Sequence, residues 1–176
     1  MASAQTLDLG DRRLLAAWAA DCAERVLPLF GAVAPEDTRP RDGIARTRAF
    51  SRGEVDAADM IRRRFETGRA AAPVRDPAAR AAAFAAGQAS GVAHMGAHAL
   101  GAAAYAVRAA GHSRPGADDD EVAWQLAHLE PPARDALRRL PLLGTDTSGP
   151  LGSGLLATGT LAVTIRAIQS SVAVPH

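Results

Sequence analysis

The amino-acid sequence predicts an all-α fold: a single-domain helical bundle of about six to seven helices over residues 1–176, with one long central helix. Three observations carry this expectation. Alanine, the strongest helix former, fills roughly a quarter of the positions. Apolar residues recur at spacings of three and four in segment after segment, and no run alternates as a half-buried strand would. Aromatic residues make up only 4% of the chain, which favours close packing of small side chains.

The first helix runs from Asp8 or Asp11 to Phe30, with Leu15, Trp18, Ala19, Cys22, Val26 and Phe30 on its apolar face. Pro28 kinks or ends it, because proline removes a backbone donor. Gly31 to Arg39 is a loop, and Pro40 opens a second helix that ends near Gly53. A third helix covers Glu54 to Arg69, its stripe formed by Val55, Ala58, Ile61 and Phe65. Asp76 to His112 reads as the long helix, about 55 Å at ~1.5 Å per residue, with a break expected near Gly87 or Gly91. Those two glycines also let a neighbouring helix approach closely. After a turn to Gly116, the acidic run Asp118 to Glu121 suits a helix N-terminus. Pro131 and Pro132 open a short helix to Leu140, and a last helix spans Leu151 to Ser171.

Composition excludes several classes. The net charge of +1 removes the general electrostatic case for nucleic acid. All 20 basic residues are arginine, so neither a Schiff-base lysine nor a phosphate-loop lysine exists. The single cysteine, Cys22, can form no internal disulfide, and the N-terminus carries no apolar secretory segment; both point to the cytoplasm. The longest charge-free stretch, Thr147 to Ile165, is too rich in Gly and hydroxyl residues for a membrane span.

The long helical segment holds the main chemical signal. At about 100° per residue, His94, His98, Tyr105, Arg108 and His112 fall along one line, with Gly101 among them. No carboxylate occurs between Gln88 and His112, so this face suits a polar pocket better than water. His94, His98 and Tyr105 are the candidate catalytic residues, for proton transfer and hydrogen bonding, and Arg108 can hold an anion. The two histidines have metal-ligand spacing, but Met95 stands where a zinc protease needs its glutamate. A third ligand would have to come from Cys22, Asp21 or Glu24, so no metal and no cofactor is expected.

Trp18, Asp21, Cys22 and Glu24 form a second cluster on the first helix and are candidate ligand-binding residues, with Cys22 expected to be a buried, inert thiol. Arginine is concentrated early: Arg39 to Arg80 holds 11 Arg against 6 acids, whereas Pro115 to Asp146 holds 3 against 7. This imbalance either pairs two parts of one fold, or of a homo-oligomer, or marks an anionic ligand near Arg41, Arg46 and Arg48. The glycine-bearing stretch Thr145 to Gly154 matches no nucleotide-binding pattern and reads as a capping loop.

Three segments carry a family resemblance: Asp11-Arg12-Arg13-Leu14-Leu15-Ala16-Ala17-Trp18-Ala19-Ala20-Asp21-Cys22-Ala23-Glu24, the stretch from Arg39-Pro40-Arg41 to Arg46, and Ala93-His94-Met95-Gly96-Ala97-His98-Ala99 through Tyr105-Ala106. Together they resemble the Imm-5-like putative immunity protein family of actinobacteria, over about the first two thirds of the chain. The resemblance implies an all-helical domain concerned with toxin neutralisation or self-protection, and it transfers no catalytic residue. The expected function is therefore binding of a toxin protein or a small bioactive molecule. The alternative is a small cofactor-independent enzyme of secondary metabolism, with His94, His98 and Tyr105 driving an acid–base cyclisation or elimination.

Overall fold

A computed structural model describes residues 3–174. The described residues form eight α-helices and two short 3₁₀ turns, with no strand. Helix α1 spans Leu9–Gly31, α2 Arg39–Ser51, α3 Ala57–Arg63, α4 Pro77–Gly91 and α5 His98–Ser113. Helices α6 (Ala117–Ala127), α7 (Pro131–Arg138) and α8 (Gly159–Ala173) complete the set. The 3₁₀ turns cover Gly68–Ala71 and Leu155–Ala157. None of these helices is long and apolar enough to cross a membrane.

Aspartates set three of the helix starts. Asp8, Asp56 and Asp76 each accept a 2.8 Å bond from the amide three residues on, satisfying a donor that the first turn leaves free. Pro28 lies inside α1, which continues for only three residues beyond it.

Helices α1, α4 and α5 form the centre, with α2 across α1 and α4, and α6 and α8 against α5. Both α4 and α5 bury alanine nearly all the way round, for example Ala79, Ala82, Ala86, Ala99, Ala103 and Ala106. Such helices belong in the interior, since an apolar surface on every side must be covered.

One long central helix is the main correction to the sequence reading. The segment from Asp76 to His112 breaks after Gly91, one of the two places expected, but the break separates two helices that double back on each other. Phe84 packs on Tyr105 with the rings tilted, Gln88 meets His98, and Gly91 carries the His98 ring, so the partners step in opposite directions along the two helices. Two causes are visible. The amides of Gly96 and Ala97 in the turn donate to the carbonyls of Thr6 and Gln5, each at 3.0 Å, in place of helical partners. Folding back also buries the alanine faces on one another, which a straight rod would leave to water.

The third predicted helix is shortened for a related reason. Thr67 is fully buried where Gly43 leaves room: a Cβ on Gly43 would lie 2.2 Å from its hydroxyl oxygen. Gly68 and Gly87 make a second close approach, a Cβ on Gly87 lying 2.8 Å from the Gly68 Cα. The chain bends to make both contacts, and Phe65, expected on a buried stripe, is left 59% exposed. The last helix likewise starts at Gly159 rather than Leu151, because residues 142–152 form hydrogen-bonded turns.

Candidate functional site

The first residues of the chain tie the site together. Gln5 is buried, and its Nε2 donates to Asp146 Oδ2 at 2.7 Å and to the Ser148 carbonyl at 2.8 Å. Its Oε1 accepts from the Leu151 amide at 2.9 Å. Leu7, in the left-handed region at φ 61°, packs where Gly96 lacks a side chain: a Cβ there would lie 2.8 Å from Leu7 Cδ1. One short segment thus holds both the turn that carries His94 and the loop that faces it.

Between these two walls lies a cleft of about 360 Å³ lined by Gln88, His94, Met95, His98, Tyr105 and the 149–156 loop. The turn between α4 and α5 places His94, which is exposed, and α5 supplies His98 and Tyr105 two turns apart on one side. The three candidate catalytic residues therefore line one cleft, although the straight helix that suggested them does not exist.

Two glycines make the polar pair at its floor. His98 Nδ1 and Gln88 Oε1 are 2.8 Å apart, and the amide oxygen can only accept, so Nδ1 carries the proton and Nε2 keeps its lone pair. A Cβ on Gly91 would lie 2.9 Å from the His98 ring, and one on Gly101 would lie 2.2 Å from Gln88 Oε1. Either addition would push the pair apart. Burial, with the neighbouring His94 second, lowers the His98 pKa to about 4, so its imidazole is neutral at pH 7. Burial also raises the Tyr105 pKa, against the opposing pull of Arg108, which keeps the phenol protonated as a donor. The Tyr105 ring packs 5.2 Å from Phe84 between centroids.

Two further spaces share walls with the cleft. On one side a space of about 730 Å³ shares Gln88, His94 and His98 and is bounded by Arg64, Phe65, Arg69 and Phe84. On the other, about 490 Å³ shares Tyr105 and Leu155 and is bounded by Arg75, Arg80, Phe84, Arg108 and His112. Arg108 donates to Thr160 Oγ1 at 3.2 Å and lies 5.6 Å from the Tyr105 ring centre.

The second cluster of candidates lines none of these spaces. Trp18 is buried and donates from Nε1 to the Gln125 carbonyl at 3.0 Å. Asp21 and Glu24 hold Arg48 of α2 at 2.6 and 2.5 Å. Cys22 is fully buried; burial first, then Glu121 and Asp21, push its thiol pKa up, which leaves no thiolate for chemistry. Arg46 pairs with Glu66 at 3.5 Å, and exposed Arg41 lies 3.8 Å from Asp42. The early arginines near Arg41, Arg46 and Arg48 are thus balanced within the chain. Among the described residues, no three of His, Cys, Asp or Glu converge as a metal site would require.

Sequence reasoning named Arg108 but missed Gln88, Phe84, Leu155 and the arginines Arg64, Arg69, Arg75 and Arg80 of the neighbouring spaces. The Gly87 and Gly91 spacing was the available signal, since both residues prove to be points of close approach.

A family model described as Imm-5 like putative immunity protein matches residues 5–132. No curated protein and no solved structure matches the chain.

Proposed function

We propose, since this chain belongs to the Imm-5 like putative immunity protein family, that it protects by binding, and that the cleft of His94, His98 and Tyr105 holds a toxin or a small bioactive molecule. The carrying observation is the Gln88–His98 pair, fixed at 2.8 Å over two glycine notches in a largely apolar cleft. A pocket that offers a few fixed polar groups within apolar walls is the usual form of a recognition site. The lone pair of His98 Nε2 and the Tyr105 hydroxyl supply one acceptor and one donor.

The acid–base enzyme reading is the weaker one. A general base works best with a pKa near the working pH, and about 4 makes His98 a poor one at neutrality. Tyr105, shifted upward, is a poor acid for the same reason.

The test is growth rescue. Cells producing toxins from the same genome are supplied with the wild-type chain, His98→Ala, Gln88→Ala or Tyr105→Phe, with folding of each variant checked by circular dichroism. Rescue by the wild type that is lost in folded cleft variants supports the reading. Rescue that survives all three substitutions places recognition elsewhere, and turnover of a small molecule that depends on His98 favours the enzyme.

A further inference from the structure

The groove that extends the His98 cleft has an unusual charge balance. Across three neighbouring spaces that share lining residues, the lining includes Arg64, Arg69, Arg75, Arg80 and Arg108, together with three histidines, and not one Asp or Glu. None of these five arginines makes an ion pair among the described residues, whereas Arg25, Arg46, Arg48 and Arg139, outside the groove, each have a carboxylate partner.

Neutral oxygens and aromatic rings hold three of the guanidinium groups instead: Arg64 donates to the Ile61 carbonyl, Arg80 to the Val74 carbonyl and Arg108 to Thr160 Oγ1. Arg64 lies 4.4 Å from the Phe65 ring centre, Arg80 5.9 Å from Phe84 and Arg108 5.6 Å from Tyr105. Stacking of this kind orients a guanidinium without cancelling its charge. Phe65, more than half exposed, and Phe84 stand at the same space as Arg64 and Arg69, over a floor of Gly68, Gly87 and Gly91. That space, about 730 Å³, is of the size that encloses a drug-sized molecule.

We propose that this groove binds a small aromatic anion, its ring system against Phe65 and Phe84 and its phosphate or carboxylate on Arg64 and Arg69. The proposal rests on the cleft being the recognition site, and it names the chemistry of what is recognised. Arginine's planar fork suits a phosphate or carboxylate, and a pair of guanidinium groups without carboxylate partners, Arg64 also donating to the Ile61 carbonyl at 2.9 Å, selects against neutral and cationic molecules of the same shape. An acidic protein segment would satisfy the charge but has no reason to carry a ring into a space of this size.

The experiment uses the whole chain and 1-naphthyl phosphate, with 1-naphthol, inorganic phosphate and a deca-glutamate peptide as comparisons, followed by calorimetry and by NMR of the His98 and Tyr105 side chains. Expected is saturable binding of naphthyl phosphate tighter than about 1 mM, weakened at high salt. Arg64→Gln with Arg69→Gln should lower affinity about tenfold or more, while Arg62→Gln, whose partner is Asp59 outside the groove, leaves it unchanged. Phe84→Leu should weaken naphthyl phosphate but not inorganic phosphate. Absent binding, equal binding of naphthol, or deca-glutamate binding in its place each overturns the proposal. These outcomes separate from growth rescue: loss of rescue in the His98 variant with no anion binding keeps the cleft and rejects the ligand class, whereas arginine-dependent anion binding with His98-independent rescue rejects the cleft as the toxin site.

Discussion

The low pKa of His98 makes stability depend on pH in a defined window. The folded chain resists protonating the half-buried imidazole until pH falls to about 4, whereas in the unfolded chain it takes a proton near its ordinary value of 6.5. The unfolded state therefore binds more protons between these two values, and stability falls as pH drops through that interval. Above pH 6.5 the group is neutral in both states and costs nothing. A separation of about 2.5 pKa units corresponds to a limiting loss of about 3 kcal/mol, and at pH 4.5 most of it, about 2.5 kcal/mol, is already expressed. Carboxylates begin to titrate there too, so the measurement is a difference: urea unfolding of the wild type and of His98→Gln at pH 7.5 and 4.5. The wild type should lose about 2.5 kcal/mol more than the variant over that interval. An NMR titration of the His98 ring gives the midpoint directly. Equal losses in the two proteins, or a midpoint near 6.5, would refute the argument that burial holds this imidazole neutral.

Other perturbations test the supports of the site. Gly101→Ala should displace the Gln88 side chain, because the new Cβ would lie 2.2 Å from Gln88 Oε1; His98 then loses its Nδ1 acceptor, seen as a change in ring ¹⁵N shifts, while the melting temperature changes little. Gly87→Ala instead strikes the Gly68 backbone at 2.8 Å and should cost about 1–3 kcal/mol, measured by thermal unfolding; an unchanged melting temperature contradicts the close crossing. Gln5→Ala leaves the Leu151 amide without its acceptor and should cost about 2 kcal/mol, with faster hydrogen exchange over 144–156; exchange that stays slow there would show that the loop stands without Gln5. Native Cys22 should resist iodoacetamide at pH 8 and react only on unfolding; rapid labelling of the folded chain would contradict its burial.

Much of the helical layout was legible because its signals are local. The starts at Asp8 and Asp76, Pro40 and Pro131, and the three-four spacing on α1 act over a few residues, and the structure follows them. Its central feature was not legible, since a straight helix and a hairpin share one periodicity through Val92. What decides between them is a pair of carbonyls, Thr6 and Gln5, about ninety residues from the turn they satisfy. The three residues still come together because His98 and Tyr105 both stay on α5, and the turn delivers His94 to the same cleft. The arginine excess was visible, but which arginines are neutralised was not. Arg48 and Arg46 find carboxylates on other segments, while Arg64 and Arg80 find aromatic rings, and composition treats all four alike.

The Gln5 bonds also set the order in which the molecule becomes competent. The acceptor for the Leu151 amide lies 146 positions earlier in the chain, a separation that makes this contact late and entropically expensive to form. During synthesis α4 and α5 can pair soon after both have emerged, giving the His98–Gln88 floor its geometry. The opposing wall waits until the loop through Leu156 is made and returns to the first residues. A nascent chain therefore has the floor without the cleft, and a ligand that needs both walls will engage only after the loop has closed. Occupancy by such a ligand would in turn hold down the segment with the longest return path, so protection of residues 144–156 from a protease would report binding as directly as any measurement at His98.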